Sequence, residues 1–183
     1  MMSCLSDKLC RDSEVKEAQL VFDEMGKWVL HPTVVSFNTL INGYCKSRNL
    51  EEGFRLKRVM EESRTYADVF TYSVLITALC KECRLDIANE LFVEMCHRGL
   101  VPNDATFTAL IGGQCKCGRV DLAMETYQEM LRKNIEPDLV TYNTLINGLC
   151  KVGNLKEAKK LVDAMSIRGL KPDKITYTTL FDG

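Results

Sequence analysis

The chain has 183 residues, 46% hydrophobic and 27% charged, which is the composition of a folded protein and excludes a disordered one. Its 24 Lys and Arg offset 25 Asp and Glu, so net charge points to no nucleic-acid partner, and any electrostatic attraction must come from where charges sit. No run of about eighteen apolar residues occurs, which excludes a membrane-spanning helix.

The opening segment MMSCLSDKLCRDSEVKEAQ carries acids early and lacks an apolar stretch. It reads as neither a secretory signal nor a transit peptide, so an organelle address is expected outside this chain. Residues 1–33 already belong to a repeating pattern. Cysteines stand at 10, 45, 80, 115 and 150, and methionines at 25, 60, 95, 130 and 165, each step being 35. All four prolines (Pro32, Pro102, Pro137, Pro172) share one phase, with Ala67 in the gap. A small residue recurs as Ala18, Gly53, Ala88, Ala123 and Ala158. Independent series with one period mean a repeat array.

The first complete unit is expected at 34–68, followed by 69–103, 104–138 and 139–173. Residues 1–33 form a partial unit and 174–183 begin another, so the array is read as a piece of a longer one. Each unit predicts two helices. In the fourth, Tyr142, Leu145, Ile146, Leu149 and Cys150 follow the i, i+3, i+4, i+7, i+8 pattern of one apolar helix face. Gly153 ends that helix as a left-handed cap. Asn154 with Glu157, like Asn49 with Glu52, has the spacing of a capping box opening a second helix. Ala158, Leu161, Val162 and Met165 are its apolar stripe, and Gly169 with Pro172 stops it. A hairpin of this size cannot bury its faces alone. Neighbours must stack, giving an all-α, right-handed solenoid with first helices on the concave side.

Off the apolar stripe, each first helix carries a line of side chains at steps of three, four and four. The lines are Val35, Asn38, Asn42, Lys46; then Phe70, Ser73, Thr77, Lys81; then Ala105, Thr108, Gly112, Lys116; then Val140, Asn143, Asn147, Lys151. Stacking turns them into a ladder whose edge is a row of cations, Arg11, Lys46, Lys81, Lys116 and Lys151. Helix-end cations also favour the dipole, which explains part of the row without any ligand.

A 35-residue unit of the form VTYNTLINGLCK followed by G.L.EA..L...M...G..PD resembles the P-type pentatricopeptide repeat (PPR) family over essentially the whole chain. Tetratricopeptide repeats share the Ala-x-x-x-Phe…Pro pattern seen as Ala88, Phe92 and Pro102. They differ in a period of about 34 and in a Trp and Leu-Gly pair of the first helix, which is absent here. The resemblance implies binding of single-stranded RNA, one nucleotide per unit. It assigns base sandwiching to Val35, Phe70, Ala105 and Val140, with Ala105 the weakest grip, and phosphate contact to the basic row. It assigns base discrimination to the fifth and last residues of each unit: Asn38 with Asp68, Ser73 with Asn103, Thr108 with Asp138, Asn143 with Asp173. By the family's pairing these imply the core 5′-U-A-G-U-3′. Ser3 with Thr33 forms no defined pair, and Thr178 lacks its partner. The family further implies RNA processing, stability, splicing or translation in a mitochondrion or chloroplast, the mitochondrion slightly favoured. The alternative from another class is a protein-binding scaffold of tetratricopeptide type.

Cys80-Lys-Glu-Cys83 and Cys115-Lys-Cys117 suggest zinc at first sight. The register instead gives Cys80 and Cys115 to the core with Cys10, Cys45 and Cys150, where free cysteine packs as a small apolar residue. Neither pair has a partner pair at metal-site spacing, so no metal or other cofactor is expected. The odd total of nine cysteines is read as reduced thiols. His31 and His97 fall at unlike phases and read as surface residues. The zinc deaminase pattern His-x-Glu with Pro-Cys-x-x-Cys is missing, and no enzymatic activity is expected.

Overall fold

The computed structural model describes residues 32–182. Nine helices are present among the described residues: α1 (Val34–Lys46), α2 (Leu50–Glu62), α3 (Val69–Lys81), α4 (Leu85–His97), α5 (Asp104–Lys116), α6 (Val120–Arg132), α7 (Leu139–Lys151), α8 (Leu155–Ile167) and α9 (Lys174–Asp182). No strand occurs among them. First helices start at Val34, Val69, Asp104 and Leu139, where the expected units begin. The opening segment, with Arg11, Cys10 and His31, lies outside the described residues.

Each of the helices α1 to α8 stops at a residue in the left-handed region. After first helices it is Arg48, Cys83, Gly118 or Gly153, and after second helices Arg64, Gly99, Asn134 or Gly169. The chain then turns by paired bonds such as Gly99 N–H to Cys96 C=O at 3.0 Å and Leu100 N–H to Met95 C=O at 3.2 Å, a Schellman closure. The capping boxes expected at the second helices form by half. Asn49 accepts from the Glu52 N–H and Asn154 from the Glu157 N–H, while those glutamates pair with Arg55 and Lys160. A full box joins Asp68 and Thr71 at α3, because threonine at that place is held beside the cap by the preceding unit.

The array has two layers. α1, α3, α5, α7 and α9 pack on one another in order, and each second helix touches the next first helix without packing directly on the next second helix. A stack closer on one side than the other must curve, so the first helices form the concave side of an all-α solenoid. Close approach there depends on glycine. A Cβ on Gly113 would strike Cys80, whose Sγ would stand 2.7 Å away, and one on Gly148 would stand 2.7 Å from the Cys115 Sγ. Glycine inside a helix costs about 1 kcal/mol relative to alanine, so here helix propensity yields to packing. The buried aromatics Phe107 and Tyr142 seal the layers, meeting Phe92 and Tyr127 of the preceding second helices edge to face at 5.3 and 5.9 Å. On the outer layer, buried Lys57 bonds Glu61 and Glu94 at 3.0 Å each, and Arg98 bonds the same two carboxylates at 2.9 Å. This network bridges α2 and α4 where their backbones stay apart.

The expectation of reduced thiols throughout fails at Cys83 and Cys117, which form a disulfide. Both lie outside the core register, at the turns closing the first helices of adjacent units. Stacking brings their Cα atoms to 5.8 Å. Cys45, Cys80, Cys96, Cys115 and Cys150 are free, and burial pushes the thiols of Cys80 and Cys115 up to about 11.

Gln114 breaks the pattern. It occupies the phase of the core residues Leu79 and Leu149 and is fully buried, with neither amide atom hydrogen-bonded. An unsatisfied buried amide costs roughly 1–3 kcal/mol. Gln114→Leu should therefore stabilise the chain, raising Tm by about 2–6 °C in a thermal melt. An unchanged or lowered Tm would mean that the amide finds partners and that leucine does not fit.

Candidate nucleic-acid interface

The last residue of each unit is the N-cap of the next first helix. Asp68, Asn103, Asp138 and Asp173 each accept, through Oδ1, the backbone N–H of the threonine three places on: Thr71 (2.9 Å), Thr106 (3.0 Å), Thr141 (2.7 Å) and Thr176 (2.9 Å). Aspartate and asparagine suit this place because a short side-chain oxygen reaches the orphan donors of the first turn. Helix-start chemistry alone thus accounts for an Asp or Asn here.

The cap also meets the fifth residue of its own unit. Asn38 Nδ2 donates to Asp68 Oδ1 at 3.1 Å, and Asn143 Nδ2 to Asp173 Oδ1 at 3.3 Å. Ser73 and Thr108 are too short for that reach. They bond the threonine hydroxyl of the next unit, Ser73 to Thr106 at 2.6 Å and Thr108 to Thr141 at 2.7 Å. The pairs singled out in the sequence therefore come together, directly for the asparagines and through a threonine for the other two. Asn38 is buried and Asn143 half-buried, deeper than a line of free surface side chains implies, because the following unit packs over them. Thr71, Thr106, Thr141 and Thr176 were missed as site residues. Their signal was the recurring Asp/Asn-x-x-Thr across each unit boundary.

The second residues face outward. Val35 is 73% exposed, Phe70 51% and Val140 58%, and Ala105 is exposed as well. Apolar side chains left in solvent one helical turn from polar clusters form a row of apolar and polar sites. Between α1, α3 and α5 the surface dips into a cleft of about 640 Å³ bordered by Asp68, Phe70, Ser73, Asn103, Lys46 and Lys81.

Lys46, Lys81, Lys116 and Lys151 are exposed at the ends of α1, α3, α5 and α7. Lys116 donates to the Lys81 carbonyl at 2.9 Å, the helix-end role that needs no ligand. Among the described residues no such bond ties down Lys46, Lys81 or Lys151.

Burial raises the Asp68 carboxyl pKa, but bonds from the Thr71 N–H, the Thr71 hydroxyl and the Asn38 amide outweigh it and hold the carboxyl below its ordinary 3.8. The Asp173 carboxyl is lowered chiefly by the Thr176 N–H. A depressed folded pKa contributes stability above the unfolded value that is lost as pH falls through the folded one. The wild type should lose stability as pH drops below about 4, and Asp68→Asn, which can still cap, should lose less. Urea midpoints between neutral and acid pH would show it. Equal slopes would mean that Asp68 is not held in its charged form.

Residues 32–81, 67–116, 105–151 and 137–183 match the PPR repeat family, and residues 9–47 match the pentatricopeptide repeat domain. The pentatricopeptide repeat-containing proteins At5g14820 and At3g62540, both named mitochondrial and both from Arabidopsis thaliana, are each 40% identical over 55 residues. That stretch is 30% of this chain and 9% of either relative. Among solved structures, maize PPR10 superposes with a TM-score of 0.84 at 24% identity, over 97% of this chain and 25% of that one. The PPR domain of Arabidopsis thaliana protein-only RNase P 1, solved with tRNA, superposes with a TM-score of 0.79 at 17% identity, over 98% and 96%. At such identities the likeness is one of fold, and it is carried by the same stacked hairpins. With repeat matches running from residue 9 to the end and a 35-residue helical register beneath them, the chain belongs to the pentatricopeptide repeat family.

Proposed function

We propose that this chain binds single-stranded RNA along its concave face, one base to each unit (34–68, 69–103, 104–138 and 139–173), with a preferred core 5′-U-A-G-U-3′. The observation that carries the reading is the fourfold recurrence of one arrangement: an exposed apolar second residue, a polar cluster of fifth residue and helix cap, and a lysine at the helix end. Apolar side chains grip a base face, the cluster meets its edge, and lysines neutralise phosphates. Stacked helices stand about 8–10 Å apart while stacked bases rise about 3.4 Å, so the strand has to unstack and offer bases singly. Two similar structures support the reading by what they hold: PPR10 was solved with an 18-nucleotide psaJ RNA element, and the RNase P domain with tRNA. The chain acts here as a binding module and not as a catalyst. The relatives' mitochondrial names support an organellar role in RNA processing, stability, splicing or translation, with the mitochondrion ahead of the chloroplast.

The test is fluorescence anisotropy with a labelled oligonucleotide carrying UAGU against one with the same bases permuted, over a salt series. Tighter binding to UAGU that weakens with salt is expected. Equal binding of both sequences would remove the base reading, and no binding at low salt would leave the protein-scaffold alternative.

A further inference from the structure

Thr71, Thr106, Thr141 and Thr176 are fully buried, and each hydroxyl reaches back across a unit boundary to two groups of the preceding unit, its fifth residue and its helix cap. Thr141 Oγ1 stands 2.7 Å from Thr108 Oγ1 and 2.7 Å from Asp138 Oδ1, and Thr106 Oγ1 stands 2.6 Å from Ser73 Oγ and 2.8 Å from Asn103 Oδ1. A hydroxyl has one proton to give and lone pairs to receive. The direction in which each threonine spends its proton therefore decides what its neighbour can offer outward.

At the third boundary the direction is forced. The Asp138 carboxylate only accepts, so Thr141 must donate to it. Thr141 can then only accept from Thr108, whose proton is drawn inward. Thr108 is left with outward lone pairs, an acceptor beside an acceptor-only carboxylate. Guanine presents donors, N1–H and the N2 amino group, on the edge that would face them.

At the second boundary the cap Asn103 is neutral. Its Oδ1 is turned inward by the Thr106 N–H, which leaves its amide N–H groups free to point out. Ser73 also has the Val69 carbonyl at 2.8 Å as a second outlet for its proton, so its polarity is not locked. A site able to give as well as take suits adenine, whose edge carries a donor and an acceptor.

We propose that Thr141, and by the same hydroxyl-to-hydroxyl link Thr106, are positioning residues that transmit the donor or acceptor character of the helix cap to the base-facing fifth residue. Specificity is then a property of three residues, one of them hidden in the core. The proposal rests on the reading of Thr108 as base-facing.

The experiment uses the full chain and RNA oligonucleotides with the core U-A-X-U, X being each of the four bases. Thr141→Val keeps the shape and removes the hydroxyl, and Thr141→Ser keeps the hydroxyl. In the wild type guanine should lead at X by about tenfold. Thr141→Val should bring the guanine-to-adenine ratio within about twofold of unity while the adenine preference at the second nucleotide holds, and Thr141→Ser should retain the guanine preference. Asp138→Asn should move the wild type towards adenine and have no such effect in the Thr141→Val background. Retained guanine preference in Thr141→Val overturns the proposal, as does equal weakening for all four bases. It is equally overturned if Asp138→Asn still shifts preference without the Thr141 hydroxyl, since the carboxylate would then read the base itself. A wild type indifferent to X would remove the base-facing reading before any variant is made, and the relay with it.

Discussion

Replacing Lys46, Lys81, Lys116 and Lys151 together by glutamine is expected to lower RNA affinity by about a hundredfold to several hundredfold at low salt, alike for every sequence. The size follows from counterion release. Each phosphate neutralised on a single strand contributes a slope of about −0.7 to the dependence of log K on log salt. Four contacts give a slope change of about 2.8, and a tenfold fall in salt from the point where the two proteins bind equally opens a gap of roughly 600-fold. Lys116 already donates to the Lys81 carbonyl. If that bond keeps its ammonium at the helix end and away from a phosphate, three contacts remain and the gap is roughly 130-fold. Lys116→Gln alone should consequently cost least among the four single variants. Anisotropy titrations at several salt concentrations measure both quantities. An unchanged slope in the quadruple variant would reduce the row to helix-end cations, the role the dipole alone explains. Fold should survive in all cases, because these side chains are exposed and cover no core.

The register of the array was legible because core positions repeat residue types. Cys45, Cys80 and Cys150 sit at one phase, Met60, Met95, Met130 and Met165 at another, and the methionines are fully buried. Helix starts followed from the same register. What the register cannot encode is contact between different phases. Cys83 and Cys117 are 34 apart, one short of the period, so each looks alone in its series. Only the stacked turns bring them together. Gln114 sits in phase with Leu79 and Leu149, and periodicity does not report whether a buried amide finds partners. The capping residues were sought at second helices, where Asn-x-x-Glu is the familiar spacing. The stronger caps lie at first helices, on the same aspartates and asparagine that the family resemblance assigns to base reading. One side chain thus serves two ends of the argument. Its Oδ1 closes a helix, and at Asp68 and Asn103 the residue also borders the cleft. An Asp or Asn at that place is explained by either role, and only variants that keep the cap while changing its donor character can separate them.

Thr108→Asn, with Asp138 kept, is expected to turn the third preference from guanine towards uracil and to leave the other three positions alone. Asparagine fits this setting because it already does so twice. At Asn38 and Asn143 the amide nitrogen donates to the cap carboxylate at 3.1 and 3.3 Å, while the amide oxygen receives the next threonine hydroxyl at 2.6 and 2.7 Å. Unit three offers the same partners, Asp138 and Thr141. Thr108 is half-buried and the carboxylate already accepts from Thr141, so the longer amide replaces a hydroxyl link with a direct bond and needs no backbone shift. The outward face changes in kind. Threonine held by its proton offers only lone pairs, whereas an asparagine bound at both ends keeps one free N–H. A guanine placed there meets a donor where it needs an acceptor, and a buried polar edge left unpaired costs roughly 1–3 kcal/mol, or about 5–150-fold. Uracil can give its N3–H to the carboxylate and take the amide N–H on a carbonyl. Competition among oligonucleotides that differ only at the third core nucleotide reads the switch directly. The second core nucleotide, assigned to Ser73 and Asn103 in the proposed register, serves as the internal control for fold and for overall affinity. A variant that weakens equally towards all four bases would mean that Thr108 supports the stack without reading RNA. A variant that keeps guanine would mean that the discriminating contact belongs to Asp138 alone.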